Sequence, residues 1–276
     1  MNRRSPPALL KTSAITVCLL ALLVLFGFGP STEARAASPP TKPTIVLVHG
    51  AFADSSSWNG VASRLLAKGY PVVAVANPLR GVQSDAQYVA GVLASIAGPI
   101  ILVGHSYGGN IITNVATGKD NVKALVYVSG LAPDSGESAA TLSGQYPGST
   151  LGPTLAPPVP LADGGKDLYI KQADFHAQFA ADVPAAQAAQ MAVAQRPITE
   201  AALKEPSGTP AWKSIPSYFI YGSRDKNIPP ALQPFMADRA HAKKTVEILG
   251  ASHVVMISHA DAVAKIIEDA ADAAGK

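Results

Sequence analysis

Cysteine is almost absent from this sequence. Its single cysteine, Cys18, lies near the amino terminus inside an apolar run. One thiol cannot close an intramolecular disulfide, and it cannot supply a cluster of cysteine metal ligands. The protein must therefore be stabilised by a buried core, and the roughly 240 residues that follow the amino-terminal segment are enough to build one.

Charge of one sign is also scarce. The whole chain has a formal net charge of +3. The first 36 residues contain Arg3, Arg4, Lys11, Glu33 and Arg35, and the rest of the chain has eighteen basic and eighteen acidic residues. A formally neutral chain has no excess of basic residues for binding a phosphate backbone. We therefore expect no nucleic-acid partner.

The amino-terminal segment has the features of a secretory signal peptide. Arg3, Arg4 and Lys11 precede the apolar run 14–28, which is short for a membrane span, and the small residues Ala34 and Ala36 have the spacing of a cleavage site. We expect residues 1–36 to be removed, leaving an exported protein, periplasmic or secreted, with no membrane contact after cleavage. An uncleaved membrane anchor is the alternative.

Apolar strand patterns alternate with helical patterns along the rest of the chain. This alternation predicts an α/β fold with a mostly parallel sheet and right-handed connections. The predicted strands are 44–48, 71–75, 100–103, 122–128, 217–221 and 245–249, and the predicted helices are 58–68, 84–96 (with Ser84 as its N-cap), 110–116, 231–240 and 260–271.

The alternation stops at residue 131 and resumes only after residue 212. The intervening segment is rich in Pro, Gly and Ala, and helical patterns occur at 167–179 and 184–195. We therefore predict a core made of residues 37–130 and 213–276, with a mostly helical insertion at 131–212.

A Gly-x-Ser-x-Gly motif follows the third predicted strand. Gly104 and Gly108 flank Ser106, and a predicted helix follows. This strand–turn–helix context is typical of a nucleophile elbow, in which a strained turn presents the serine hydroxyl at the edge of the sheet. His105 occupies the variable position of the motif. A glycine-rich turn with an ordinary serine is the alternative.

A serine nucleophile needs a base, and the base needs an orienting acid. Asp225 and His253 follow the last two predicted strands, in the chain order Ser, Asp, His. The carboxyl ends of parallel strands are where such sheets place their sites. We therefore predict a triad of Ser106, Asp225 and His253, with Asp134 as the rival acid. His, Asp and Glu residues show no metal-ligand spacing, so we expect no metal.

The remaining site residues follow from the same layout. The backbone N–H groups of Ala51 and Tyr107 are the predicted oxyanion hole. Phe52 and Val254 are predicted to contact the substrate. A site with an apolar lining disfavours charged groups, so the expected partner is a small, uncharged ester. Oligomeric state is not indicated.

These motifs resemble the α/β-hydrolase superfamily, and within it the small cofactor-free esterases related to plant methylesterases and hydroxynitrile lyases. The similar stretches are 46–52, 102–109, 125–128, 225–229 and 250–253. The resemblance implies ester hydrolysis without a cofactor, with a cap at 131–212 over the triad.

Other activities occur in the same branch. Hydroxynitrile lyases resemble this chain but carry threonine where it has Gly50, and lysine where it has Val254. Both differences favour ester hydrolysis. A perhydrolase (cofactor-free haloperoxidase) activity and a small-molecule binding role are the further alternatives.

The signal-peptide interpretation predicts a mature amino terminus near Ala37. Amino-terminal sequencing of protein recovered from outside the cytoplasm measures it directly. Exported material that begins at Met1 would contradict the prediction.

Overall fold

The protein is described here by a computed structural model that covers residues 42–275. The predicted signal peptide, residues 1–36, and Cys18 lie outside these residues. Within the covered part of the chain, no helix is both long and apolar enough to cross a membrane.

Strands and helices alternate as the sequence predicts, and the bounds of the predicted elements of the core lie within three residues of those observed. The strands are β1 Thr44–Val48, β2 Val72–Val75, β3 Ile100–His105, β4 Val122–Val128, β5 Val159–Pro160, β6 Lys166–Leu168, β7 Ile198–Thr199, β8 Ser217–Gly222 and β9 Lys244–Ile248. The α-helices are α1 Asn59–Ala67, α2 Val82–Ala94, α3 Gly108–Val115, α4 Ala139–Ser143, α5 Leu151–Thr154, α6 Gln172–Phe179, α7 Ala185–Ala194, α8 Glu200–Lys204, α9 Leu232–Arg239, α10 Val255–Ser258 and α11 Ala260–Ala274.

The main sheet of the described residues has the strand order β2-β1-β3-β4-β8-β9, and its pairs are parallel. The inner strands β1, β3 and β4 are almost entirely buried, whereas the edge strand β9 has no fully buried residue. Helices cover both faces of such a sheet, which explains why the inner strands are continuous apolar runs rather than alternating ones. The predicted α/β architecture is confirmed.

The strand order reverses between β1 and β3, because the chain passes from β1 to β2 on one side and returns to β3 on the other. In open parallel sheets, sites form at such a point, outside the carboxyl ends of the strands. Val48 of β1 is in register with Gly104 of β3. The loops that leave β1 and β3 therefore begin side by side.

The segment between residues 131 and 212 is less helical than the sequence predicts. It contains five short helices, but β5, β6 and β7 form a small antiparallel sheet, and β6 replaces the start of the helix predicted at 167–179. These strands have only two or three residues each. A run that short shows no period-two pattern, which is why the sequence did not reveal it.

Helix α2 begins two residues earlier than predicted, and Ser84 is not its N-cap. The N-cap residue is Gly81, which has no side chain. The carboxylate of Glu205 accepts hydrogen bonds from the backbone N–H groups of Val82 (2.7 Å) and Gln83 (3.0 Å) instead. A carboxylate at a helix amino terminus satisfies free N–H donors and interacts favourably with the helix dipole. This cap comes from a residue 123 positions away, so local sequence rules cannot find it.

Candidate active site

The turn after β3 holds Ser106 in a strained conformation. Its φ of 52° lies in the left-handed region, which a non-glycine residue rarely occupies. The Ser106 N–H donates to Ser129 O (3.1 Å), and the Ser106 carbonyl accepts from the N–H groups of Gly109 (2.9 Å) and Leu131 (3.1 Å). A strained residue persists when its surroundings fix it in this way, and such residues cluster at functional sites.

Two glycines allow the backbone around Ser106 to approach closely. A Cβ atom added to Gly104 would lie 2.5 Å from Gly108 O, and one added to Gly50 would lie 2.6 Å from the Ser106 Cβ and 2.7 Å from His105 O. Real Cβ atoms do not come this near. The loop after β1 can therefore meet the turn after β3 only because Gly50 lacks a side chain, and the turn can fold back against the end of β3 only because Gly104 lacks one.

Asp225 and His253 are directly paired at the carboxyl ends of β8 and β9. His253 Nδ1 lies 2.7 Å from Asp225 Oδ2, and both side chains are fully buried. The other carboxylate oxygen accepts from the N–H groups of Asn227 (2.8 Å) and Ile228 (3.0 Å). With Nδ1–H donating to the carboxylate, a neutral His253 ring presents Nε2 as a proton acceptor.

His253 and Ser106 line the same cavity, as the base and the nucleophile of one site should. Among residues 42–275, no side chain or backbone group makes a hydrogen bond to His253 Nε2. In the absence of substrate, the hydrogen bonds of catalytic groups are often long or poorly aligned, so this geometry is compatible with a role as base.

The rival acid Asp134 is engaged elsewhere. Its carboxylate lies 2.6 Å from the Lys213 ammonium group. Partial burial acts to raise the pKa of Asp134, but the hydrogen bonds from Lys213 and the Ser135 N–H, together with the positive charges of Lys213 and Arg239, lower that pKa overall. Of the two aspartates, the structure brings Asp225 to His253.

The two predicted oxyanion-hole residues, Ala51 and Tyr107, line the cavity together with Ser106. Neither backbone N–H donates to another group of the described residues. The Tyr107 hydroxyl points away from the turn and donates to Asp85 Oδ2 at 3.1 Å. Burial raises the pKa of both Tyr107 and Asp85. This buried hydrogen bond fixes the Tyr107 side chain and leaves its amide available to a ligand.

His105 has a contact that sequence analysis did not foresee. Its Nε2 lies 3.2 Å from the carbonyl oxygen of His253, and the two rings are 4.7 Å apart between centroids. Full burial lowers the pKa of His105 well below its usual value. The residue beside the nucleophile is therefore a neutral ring that packs against the other histidine.

The cavity around Ser106 has a volume of about 130 Å³ and a mainly apolar lining. Phe52 and Tyr107, two of the candidate site residues, line it, and the insertion contributes Phe179. Its other apolar residues were missed by sequence analysis because they are scattered over the insertion and the following loops: Leu131, Ala139, Ala140, Leu151, Leu203 and Ile228.

Val254, predicted to contact substrate, does not line this cavity. It is fully buried at the start of α10. The preceding residue, His253, lines the cavity, whereas Val254 packs into the hydrophobic core. Within residues 42–275, no group of His, Cys, Asp or Glu side chains is arranged to hold a metal ion.

Comparisons with known proteins agree with this fold. The model of the alpha/beta hydrolase family matches residues 45–266. The chain is 26% identical over 252 residues to the alpha/beta hydrolase nvfD of Aspergillus novofumigatus, covering 83% of this chain and 97% of that protein.

Two of the solved structures that resemble this chain match it over most of their length. Polyneuridine aldehyde esterase has a TM-score of 0.70 at 19% identity, covering 83% of this chain and 99% of its own. A pyrethroid hydrolase from Sphingobium faniae JZ-2 has a TM-score of 0.66 at 22% identity, and the match covers 84% of this chain and 98% of the hydrolase. The fold and the matched sequence define an alpha/beta hydrolase. The chain belongs to the alpha/beta hydrolase family, and the resemblance seen in its motifs is confirmed.

The crowded surroundings of Gly50 and the open surroundings of Gly91 predict opposite effects of an alanine substitution on stability. Gly50→Ala should lower the free energy of unfolding by about 1–3 kcal/mol, because the added methyl group overlaps the turn at Ser106. Gly91→Ala should raise it by about 0.5–1 kcal/mol, because Gly91 lies inside α2 with nothing near its added Cβ. Urea unfolding of both variants provides the measurement. A Gly50→Ala protein as stable as the wild type would show that this contact is not tight.

Proposed function

We propose that the protein is a serine hydrolase that cleaves small to medium, uncharged, hydrophobic carboxylic esters through an acyl-enzyme. The observation that carries the proposal is the buried His253–Asp225 pair, 2.7 Å apart, in one apolar cavity with the strained Ser106. An esterase and a pyrethroid hydrolase among the similar structures support the same class of chemistry.

In the proposed mechanism, Ser106 Oγ attacks the ester carbonyl carbon while His253 Nε2 takes the hydroxyl proton. Asp225 holds the ring in the tautomer that can accept this proton and stabilises the imidazolium that forms. The N–H groups of Ala51 and Tyr107 bind the oxygen of the tetrahedral intermediate, which carries the negative charge.

The intermediate then collapses. The bond to the alcohol oxygen breaks, and His253 gives its proton to that oxygen, so the alcohol leaves and the acyl group stays on Ser106. Water attacks the acyl-enzyme in the same way, with His253 again acting first as base and then as acid. A carboxylic acid is released and the free serine is restored.

Two features argue against hydroxynitrile-lyase activity. The lyases that this chain resembles carry threonine where it has Gly50, and the tight packing at Gly50 has no room for a β-branched side chain. They also carry lysine after the triad histidine, where this chain has the fully buried Val254. A lysine ammonium group would be costly at such a position.

A panel of esters tests the proposal. Aryl and alkyl esters of graded acyl length should be hydrolysed, with neutral short-chain substrates preferred over charged esters and long-chain triglycerides, because the cavity is small and apolar. Ser106→Ala should lower kcat by several orders of magnitude. Near-normal hydrolysis by that variant would exclude Ser106 as nucleophile.

The same preparation distinguishes the alternatives. Cleavage of a cyanohydrin would indicate a lyase, and peracid formation from a carboxylic acid and hydrogen peroxide would indicate a perhydrolase. Tight binding of esters with no turnover in the panel would indicate a binding protein.

The acid of the triad is tested by two matched aspartate substitutions. Asp225→Asn should lower kcat by about three to four orders of magnitude, because an asparagine cannot hold His253 in the required tautomer. Asp134→Asn should keep kcat close to the wild-type value. Ester hydrolysis by the two purified variants is the measurement, and the reverse order of effects would assign the acid to Asp134.

A further inference from the structure

A second cavity lies beside the cavity that contains Ser106. Its volume is about 380 Å³, against about 130 Å³ for the inner one. The loop after β1 and the start of α1 form one wall, and helix α7 of the insertion forms another. Phe52 belongs to the lining of both cavities. This outer cavity contains neither Ser106 nor His253.

The inner cavity is too small to hold a whole ester of medium size. Cavities that bind small organic molecules usually measure about 300–1,000 Å³. An ester whose carbonyl carbon lies at Ser106 must therefore extend beyond the inner cavity, and the outer one is the neighbouring space of suitable size.

Phe52 is held firmly between the two cavities. Its φ of 60° is left-handed, which is rare for a bulky residue. Its N–H donates to the carbonyl of Arg196 in the insertion at 3.0 Å, and its ring makes an edge-to-face contact with Phe179, with 6.2 Å between centroids. These contacts keep the Phe52 ring at the boundary.

The outer lining differs chemically from the inner one. It has the apolar Met191 and Ile257, but also the uncharged amides of Gln187 and Gln190. Its one formally charged residue is Asp54, whose carboxylate accepts from the Ser56 N–H at 2.7 Å and from the Ser56 hydroxyl. Amides donate and accept hydrogen bonds, and the negative charge of Asp54 disfavours an anion.

We infer that the outer cavity is a second substrate subsite, which binds the part of the ester that extends past Phe52 and selects a neutral, polar group such as an ether or hydroxyl chain. The inference rests on the proposed ester hydrolysis. It divides the substrate into an apolar half beside Ser106 and a more polar half beyond Phe52.

Two substitutions on α7 test the inference. Met191→Trp places a large ring in the outer cavity. Val193→Trp adds the same ring two residues away, at a side chain that is 73% exposed and does not line either cavity. Ethyl acetate is compared with two longer esters, in which the same triethylene glycol chain extends either the acyl or the alcohol side.

For each long ester, the measured quantity is its kcat/KM divided by the kcat/KM of ethyl acetate. In Met191→Trp this ratio should fall about tenfold or more for at least one long ester, as expected when a pocket loses room for a substrate group. In Val193→Trp this ratio should stay at the wild-type value. An unchanged ratio in Met191→Trp would overturn the inference, and so would equal losses for all three esters, because these would indicate an effect on the whole site.

A binding measurement separates this inference from the proposed function. The amide analogues of the two long esters resist hydrolysis, and calorimetry gives their Kd for the wild type and both variants. At least one analogue should bind Met191→Trp about tenfold more weakly, and Val193→Trp as tightly as the wild type. If the wild type hydrolyses no ester but the three proteins show this pattern of Kd values, the hydrolase proposal is wrong and the outer cavity is still a binding site. Equal binding to all three proteins would overturn the subsite.

Discussion

The close contact between the loop after β1 and the turn after β3 is the constraint on which the site depends. The parallel register that pairs Val48 with Gly104 brings these two connections together. Because Gly50 has no side chain, its backbone packs against the Ser106 turn, and Ala51 and Tyr107 come to line one cavity. A one-residue change of register would reverse the faces of β1 and separate these groups.

Burial of charge is the second constraint. A carboxylate taken out of water is costly unless it is hydrogen-bonded. Asp225 meets this requirement with the N–H groups of Asn227 and Ile228 and with His253. The neighbouring His105 ring is neutral because burial lowers its pKa. In the proposed mechanism, the positive charge that forms on His253 is therefore paired with the Asp225 carboxylate and is not opposed by a second imidazolium.

The sequence predicts the core well because the core obeys local rules. Apolar runs mark β1, β3 and β4, and the glycines of the elbow mark the position of Ser106. The order of Ser106, Asp225 and His253 places them at one edge of a parallel sheet before any coordinate is known. The sequence does not reveal features that depend on contacts between residues far apart along the chain. The cap of α2 by Glu205 and the two- and three-residue strands of the insertion depend on tertiary contacts.

The insertion is tied to the loops that carry the site, and this coupling explains how it shapes the cavity. The Arg196 carbonyl accepts a hydrogen bond from the Phe52 N–H, and the Asp182 carboxylate accepts one from the Ser252 hydroxyl. The side-chain amide of Gln178 donates a third to that of Asn227.

Each of these site-loop residues is within two positions of Ala51, His253 or Asp225, so the insertion is held against all three loops. The side chains that enter the cavity from the insertion, such as Phe179, are thus fixed relative to Ser106. Substitutions in the insertion that preserve these three contacts can change the shape of the cavity while the pairing of His253 with Asp225 stays intact, because that pairing depends on β8, β9 and the amides of their own loops.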